Sequence, residues 1–238
     1  MNTRTMNLKI SGVMAISLLL IFGAMAARGA QKDQPRVFPL ETGTYWVYEG
    51  KIAWQNESGI HEKRVMWKME VVDQTKRGDY LGYLMKGHPG DLAFYDEGRT
   101  PSDYAIIQHK DTFYETEASA FDRLQNSSDD LKNLLFDNEI ALKFPIKIGS
   151  AFGDSEMLKR DDHFYCWFAQ EEHPFLRKIP GVAFSKIPRE YVLTFMTLPD
   201  GTTRYFTPGI GITRYQYSHH GTVSEVDVSL IEYHAGKK

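Results

Sequence analysis

The sequence predicts a mainly β protein, a curled antiparallel sheet arranged as a half-barrel or a β-sandwich, with one or two short helices. First, several segments alternate apolar or aromatic residues with polar ones, the period-two pattern of a half-buried strand. Second, clusters of Gly, Pro, Asn and Asp separate these segments. Third, four such segments follow one another towards the C-terminus, which favours antiparallel neighbours.

The N-terminal segment has the order of a secretory signal. Basic residues precede an apolar run from Ile10 to Phe22, and small residues follow it up to Ala26. The run has about 13 residues, whereas a helix that spans a bilayer needs about 20. We therefore expect a signal peptide over residues 1–26 and a single soluble β-rich domain over residues 27–238. An uncleaved anchor is the alternative.

Strands are predicted directly after this segment. In TYWVYEGKIAW, the side chains of Trp46, Tyr48, Ile52 and Trp54 share one parity, and charged residues occupy the other. The same alternation runs from Val65 to Val71, so the two segments predict a hairpin. The meander continues through YLGYLM and through YAIIQHKDTFY, which we interpret as two short strands around a Lys-Asp turn.

The helical part is predicted between Ala118 and Leu135. Apolar residues recur there at spacings of three and four, and Ser127 or Ser128 precedes two aspartates as an N-cap would. We expect one or two short helices that cover the sheet. The strands predicted after them are HFYCWFA, EYVLTFMTL, TTRYF, ITRYQYS and VSEVDVSLIEY.

One nine-residue pattern occurs twice. FPLETGTYW, residues 38–46, matches FPIKIGSAF, residues 144–152, in the form F-P-[LI]-x-x-G-[TS]-x-aromatic. Duplication of a β unit would explain it and would give repeat halves 38–143 and 144–238. Independent use of a good strand start, with a rigid Pro and a turn-forming Gly, is the alternative.

The stretch RYFTPGIGITRYQY raises the question of a phosphate-binding loop. A dinucleotide fingerprint needs three glycines after a strand and before a helix, so that a helix N-terminus meets the pyrophosphate. Here Gly209 and Gly211 have no third partner, and the following residues alternate like a strand. We predict a hairpin between Thr202–Phe206 and Ile210–Ser218, with Pro208 and Gly209 at the connection.

Several of these motifs together resemble a group of secreted bacterial proteins of unknown function. Members have a P-L-x-x-G-x-x-W-x-Y motif at the start of the mature domain, here in FPLETGTYWVYEG, and a late aromatic P-G-[IV]-G strand pair, here in RYFTPGIGITRY. The resemblance implies a curled, mostly antiparallel sheet and supplies no catalytic residues. Many members are lipoproteins, but this sequence has no cysteine directly after its apolar run to carry the lipid.

The net charge and the cysteine content limit the classes of function that the sequence favours. The chain has a formal net charge of −3, and loss of the signal would make it more negative, which argues against a nucleic-acid partner. Cys166 is the one cysteine, so no internal disulfide is possible, and its apolar surroundings predict buried packing. We expect an exported protein, periplasmic or extracellular, with no cofactor and no stable transmembrane anchor.

No metal site is predicted. His219 and His220 are adjacent, so in a strand they point to opposite faces; in a turn this objection weakens. Asp161, Asp162 and His163 form the one other acidic cluster with a His, and a solvated charge pair is its simpler interpretation.

The aromatic residues are the remaining candidates for a functional site, since the chain has 4 Trp, 13 Tyr and 14 Phe. They predict a thick sheet core or a pocket for an apolar or sugar-like ligand. The leading hypothesis is a non-enzymatic envelope protein that binds such a ligand or a partner protein. The alternatives are a hydrolase whose carboxylates and His, such as Asp161, Asp162 and His163, meet only in three dimensions, and a structural or assembly factor. The candidate ligand-binding residues are Trp46, Tyr48, Trp67, Tyr83 and Trp167.

Overall fold

Twelve antiparallel strands and one α-helix form the fold. The computed structural model describes residues 37–236, so the predicted signal peptide over residues 1–26 lies outside the described part. None of the helices within residues 37–236 has the length and hydrophobicity that a membrane crossing requires. The strands are β1 Tyr45–Asn56, β2 Gly59–Arg77, β3 Tyr80–Lys86, β4 Asp103–His109, β5 Thr112–Glu117, β6 Ile140–Lys143, β7 Ala151–Gly153, β8 Cys166–Pro174, β9 Arg189–Met196, β10 Asp200–Thr207, β11 Gly211–His219 and β12 Ser224–His234.

All twelve strands belong to one sheet, which curls into a nearly closed barrel. Its order is β6-β5-β4-β3-β2-β1-β12-β11-β10-β9-β8-β7. Within residues 37–236, every strand pairs with its neighbours in sequence except β6 and β7, which do not pair with each other, and the one pairing between strands distant in sequence joins β1 to β12. The short strands β6 and β7 are the two edges. The predicted curled antiparallel sheet is confirmed, and of the two arrangements the single curled sheet is the one observed.

The core fills the concave face of the sheet. Period-two alternation places one parity of each strand inward, and on β1 the inward residues Trp46, Tyr48, Ile52 and Trp54 are buried, as predicted. Burial of large aromatic and aliphatic side chains supplies most of the driving force for folding, at about 25 cal/mol for each Å² of apolar surface removed from water.

The helical prediction is confirmed in its first half only. Helix α1, Ala118–Gln125, packs Phe121 and Leu124 against the convex face of the sheet, in a small second core with Ala105 and Ile107 of β4. The segment that follows forms turns instead of a second helix.

Those turns have a local cause. Asp129 accepts hydrogen bonds from the backbone of Leu131 and from the Arg123 guanidinium, so its carboxylate serves a turn and an ion pair. Leu131 and Asn133 both have positive φ, which a helix does not allow. Spacing alone does not distinguish this arrangement from a helix.

The hairpin prediction for the Gly-rich stretch is confirmed. β10 and β11 pair antiparallel from Asp200–His219 to Thr207–Gly211, and Gly209, with φ +84°, lies in their connection. A bulge interrupts the ladder opposite the Tyr205–Phe206 step, where β11 carries one extra residue. A strand follows Gly211, so no helix N-terminus is present to receive a phosphate.

The first copy of the repeated nonamer forms a tight turn before β1. The Thr44 N–H donates to the Glu41 carbonyl at 2.9 Å, across Gly43 with φ +83°. The turn is fixed to β2 by two hydrogen bonds: Gly43 N–H donates to the Val71 carbonyl, and Val71 N–H donates to the Thr44 carbonyl.

The second copy repeats this geometry before β7. The Ser150 N–H donates to the Lys147 carbonyl at 3.0 Å, across Gly149 with φ +81°. Gly149 and Ser150 exchange hydrogen bonds with Ala169 of β8 in the same sense, at 2.8 and 2.9 Å. Both β2 and β8 bulge immediately after this contact, next to Val71 and Ala169. The two turns thus share one hydrogen-bond pattern, although the Phe–Pro peptide bond is cis in the second copy, at Phe144–Pro145; the origin of the copies by duplication stays a prediction.

Candidate functional site

Two charged side chains meet inside the curled sheet. Glu115 of β5 shares the inward parity of Phe113, and Arg204 of β10 shares that of Phe206. The Arg204 Nη1 and Nη2 atoms lie 2.9 and 3.2 Å from the two carboxylate oxygens of Glu115. Such a two-pronged contact fixes both groups, and the Arg204 side chain is only 11% exposed. The ion pair therefore spans the interior between strands that are distant in sequence.

An aromatic ring covers the guanidinium. The Arg204 Cζ atom lies 4.4 Å from the centre of the Trp167 ring, within the range of a cation–π contact. Trp167 comes from β8, so this contact ties a third strand to the ion pair.

His88 completes what we call the interior polar cluster, defined as His88, Glu115 and Arg204. It follows β3 and caps the short 3-10 helix Pro89–Leu92, where its Nδ1 atom accepts a hydrogen bond from the Gly90 N–H at 2.9 Å. The proton of the neutral ring is therefore on Nε2. That atom lies 3.6 Å from the Glu115 carboxylate, too far for a hydrogen bond.

Burial sets the charge state of the cluster. It lowers the pKa of His88 to about 4, although the nearby Glu115 carboxylate acts in the opposite direction. For Glu115, burial alone would raise the pKa, but the Arg204 guanidinium and His88 outweigh it and lower the pKa. At neutral pH the cluster consists of one ion pair and one uncharged imidazole, with a net charge of zero.

Two donors of the cluster have no acceptor. Within the described residues, His88 Nε2 and Arg204 Nε form no hydrogen bond. A buried donor without a partner costs about 1–3 kcal/mol, so such atoms are uncommon in native proteins. The tyrosines around them stay uncharged, because burial raises the pKa of Tyr104 and raises that of Tyr215 to about 12.

A cavity of about 20 Å³ lies against the cluster. Its wall is mostly apolar and includes Phe38, Ile106, Phe113, Leu142, Leu193 and Phe206. This volume is about that needed by one water molecule and far below the roughly 300–1,000 Å³ of a typical ligand pocket. Tyr114 and Ala141, both half-buried, form the side nearest the edge strand β6. A ligand larger than a water molecule can therefore enter only if side chains of the wall change their conformation.

The five predicted ligand-binding residues are all buried in the main core, and none lines this cavity. Trp46 Nε1, Tyr48 Oη and Trp67 Nε1 donate to the backbone carbonyls of Ile210, Ile212 and Gly87, at 2.6, 2.9 and 3.0 Å. Tyr83 is 5% exposed, and Trp167 contacts the cluster through Arg204. Their role in ligand binding stays a prediction, and their observed contacts are structural.

The residues of the hydrolase alternative do not form a catalytic arrangement with one another. Asp162 is exposed and pairs with Arg160, which lowers the Asp162 pKa to about 2. His163 stacks on Phe168, with ring centres 4.4 Å apart. Burial raises the pKa of Cys166, whose Sγ lies 3.2 Å from the His163 carbonyl.

His219, the first of the two adjacent histidines, is held by an aspartate. Its Nδ1 lies 2.8 Å from Asp200 Oδ1, and the same carboxylate oxygen accepts a hydrogen bond from Tyr217. Within residues 37–236, no group of three or more His, Cys, Asp or Glu side chains is arranged to hold a metal ion.

None of the three members of the cluster is predicted from the sequence. The predicted strand in YAIIQHKDTFY ends at Tyr114, one residue before Glu115. One signal was available, because Glu115 and Arg204 are charged residues on the apolar parity of their strands. In a half-buried sheet, that position requires a buried partner.

Comparisons with known proteins give the chain no family. No protein-family model and no curated protein matches it. Among solved structures, a proposed lipoprotein from Parabacteroides distasonis is similar over 85% of this chain and 100% of its own, with 11% identity and a TM-score of 0.42. A proposed exported protein with a YmcC-like fold from Bacteroides fragilis is similar over 84% and 99%, with 11% identity and a TM-score of 0.39. Similarity at this level establishes neither a shared family nor a shared function.

Proposed function

We propose that the protein is an exported, non-enzymatic domain of the cell envelope that binds an apolar ligand carrying an uncharged oxygen acceptor. The observation that carries this proposal is the pair of buried donors, His88 Nε2–H and Arg204 Nε–H, beside an aromatic-walled cavity. One acceptor oxygen would satisfy both donors, and the apolar remainder would lie against the phenylalanine rings after displacing part of the wall.

The charge of the cluster favours an uncharged ligand. Glu115 already neutralises Arg204, and His88 is neutral. An anionic head group would face the Glu115 carboxylate in a medium of low dielectric constant, where repulsion is strong. A sugar-like ligand is less favoured than a ketone, ester or ether, because the wall has few polar groups to meet several hydroxyls.

The same geometry argues against acid–base catalysis. A general base needs a free lone pair and a pKa near the working pH. The lone pair of His88 Nδ1 is occupied by the Gly90 N–H, its Nε2 carries the proton, and the pKa is about 4. Glu115 is held by Arg204, which keeps its pKa low. Neither group is prepared to take a proton from water at neutral pH.

Binding is tested with 2-hexanone, whose carbonyl supplies one uncharged acceptor, against hexane, which lacks it. In nitrogen-15 NMR, we expect 2-hexanone to shift the His88 Nε2–H and Trp167 indole signals and hexane to leave them unmoved. Arg204→Lys keeps the positive charge but removes Nε–H, so binding should weaken about 3- to 10-fold, the value of one hydrogen bond. His220→Gln, at an exposed position, is the matched control. No shift with 2-hexanone, or equal affinity in Arg204→Lys, contradicts the proposal.

Export is tested separately. The predicted signal requires the mature chain to begin at Ala27. N-terminal sequencing of protein recovered from the soluble envelope fraction gives the answer. Recovery of the intact N-terminus in a membrane pellet contradicts this part of the proposal.

A further inference from the structure

The connection between β8 and β9 is a long, exposed loop of unusual composition. Residues 175–188, FLRKIPGVAFSKIP, contain three basic residues and no acidic one, although the whole chain is negative. Leu176, Phe184 and Ile187 are 71%, 40% and 66% exposed. Single exposed apolar side chains are common, but this loop has three within twelve residues, and two of them, Phe184 and Ile187, line one surface groove together with Lys178 and Lys186.

The base of the loop is firmly held. Phe175 and Ile179 are buried in the main core, and the Phe175 N–H donates to the Pro188 carbonyl at 2.9 Å. Gly181 approaches β12 so closely that a Cβ atom there would lie 2.3 Å from the Tyr233 carbonyl oxygen. The exposed apolar side chains therefore project from an anchored base.

The positive charges of the loop are divided between two roles. Arg177 donates to Glu190 at 2.9 Å and to the Thr213 carbonyl at 3.1 Å, so it anchors the loop. Lys178 and Lys186 are exposed and form no ion pair with any residue that the structure describes. Among residues 37–236 the loop thus has two ammonium groups without an ion-pair partner, on the same loop as three exposed apolar side chains.

We propose that this loop is a docking site for an anionic phospholipid surface. Apolar side chains that enter the acyl boundary, flanked by lysines that contact acidic head groups, are the combination that holds a protein at a bilayer without crossing it. Charge complementarity selects the occupant, because a loop with three basic residues and no acidic one matches acidic head groups. The inference is independent of the interior ligand.

The test is co-sedimentation of the protein, as recovered from the cell envelope, with vesicles of two compositions. One is phosphatidylcholine alone, and the other contains about a third phosphatidylglycerol. We expect pelleting with the anionic vesicles only, and weaker pelleting as salt is raised, because screening acts on exposed charges. Each lysine near such a surface contributes roughly a five-fold factor, so the double change Lys178→Glu and Lys186→Glu should lower partitioning by about 25-fold or more.

Matched controls separate the loop from net charge and general hydrophobicity. Lys51→Glu with Lys132→Glu makes the same change in net charge at exposed positions elsewhere and should leave partitioning unchanged. Leu176→Ser with Ile187→Ser should weaken it several-fold, whereas Ile60→Ser with Leu198→Ser, also at exposed positions, should not. Failure of the unaltered protein to pellet with anionic vesicles, equal pelleting with both compositions, or equal losses in the control variants overturns the proposal. Arg204→Lys should not alter pelleting, so failure of the lipid proposal can be distinguished from failure of the ligand proposal that 2-hexanone tests.

Discussion

His88 is the residue whose chemistry depends most strongly on its surroundings. Its ring stands edge-on to Tyr104 and Tyr215, with centres 5.5 and 5.4 Å away, and it is 9% exposed. A charged imidazole in this place would lose its hydration and gain only the partial attraction of Glu115, which Arg204 already neutralises. The folded protein therefore keeps the ring neutral, and acid pH works against folding.

The sign of this pH effect follows from the two states of His88. In the folded chain its pKa is about 4, against an ordinary value of 6.5, so below pH 6.5 the unfolded chain binds the extra proton first. Stability is then lost as the pH falls from about 6.5 towards 4. His88 alone should account for about 2 kcal/mol of the loss between pH 7 and pH 5.

Urea unfolding at several pH values checks this prediction. His88→Gln should flatten the dependence of the unfolding free energy on pH by that amount, and His220→Gln, at an exposed position, should leave it unchanged. An unaltered slope in His88→Gln would show that another group dominates the acid sensitivity.

At the scale of elements, the β10–β11 hairpin shows how two neighbouring glycines differ. Gly209 has φ +84° and nothing within 4 Å of an added Cβ. Gly211 has φ +105°, and an added Cβ would lie 2.8 Å from the Phe38 ring and 3.3 Å from Trp46 Nε1. Both positions favour glycine, but only the second also lacks space.

Alanine substitutions should therefore separate the two effects. Gly209→Ala should cost about 1 kcal/mol of unfolding free energy, the penalty for a left-handed backbone. Gly211→Ala should cost a further 1–3 kcal/mol, roughly, from collision with the core. Urea midpoints measure both losses, and equal losses would contradict the lack of space at Gly211.

Titration of either variant or of the unaltered chain with NAD or ATP should show no binding.

The two nonamer turns give a second comparison at this scale. Gly43 and Gly149 have φ of +83° and +81°, and an added Cβ meets nothing within 4 Å at either one. Gly43→Ala and Gly149→Ala should each lower the unfolding free energy by about 1 kcal/mol, and the double variant by the sum. A clear inequality, measured by urea unfolding, would show that the two turns are not energetically equivalent.

Elements that depend on neighbouring residues can be predicted from the sequence, whereas contacts between residues distant in the chain cannot. Alternation and turn residues are local, so the strands from β1 to β5 and from β9 to β12 could be located, as could the hairpin. The predicted strand HFYCWFA overlaps β8 only from Cys166 to Ala169, because His163 and Tyr165 have positive φ. The short edge strands β6 and β7, of four and three residues, carry too few residues for a pattern. The interior polar cluster depends on the pairing of Glu115 with Arg204, 89 positions apart, and no local pattern contains that information.

At the scale of the whole molecule, the sheet order has an internal symmetry. Two runs of six strands, β1 to β6 and β7 to β12, follow one another across the sheet in the same sense, so the paired junction of β1 with β12 corresponds to the unpaired junction between the edge strands β7 and β6. At the first junction the Gly236 N–H, at the end of the described residues, donates to Thr44 Oγ1 at 2.9 Å. The linker over residues 144–150 occupies the corresponding place at the second junction.

A circular permutant tests this correspondence. Joining Gly236 to Val37 through a short linker and opening the chain within residues 145–147 should preserve the sheet, because Gly236 already contacts the turn that follows Val37 and precedes β1. We expect the far-ultraviolet circular dichroism spectrum of the original chain and one cooperative urea transition. A non-cooperative or unfolded permutant would mean that the 144–150 linker is indispensable.

The pairing of β1 with β12 also bears on the order of events during synthesis. Tyr45 and Glu232, which share a hydrogen bond across this ladder, are 187 positions apart in the chain. A chain that emerges from its N-terminus must wait for almost its entire length before β1 finds its second neighbour, and contacts of such long range slow folding. During that interval β1 presents an unpaired edge and the indoles of Trp46 and Trp54, the features that make nascent strands aggregate. Strand β12 therefore completes the sheet, and β1 stays without its second neighbour until β12 has been synthesised.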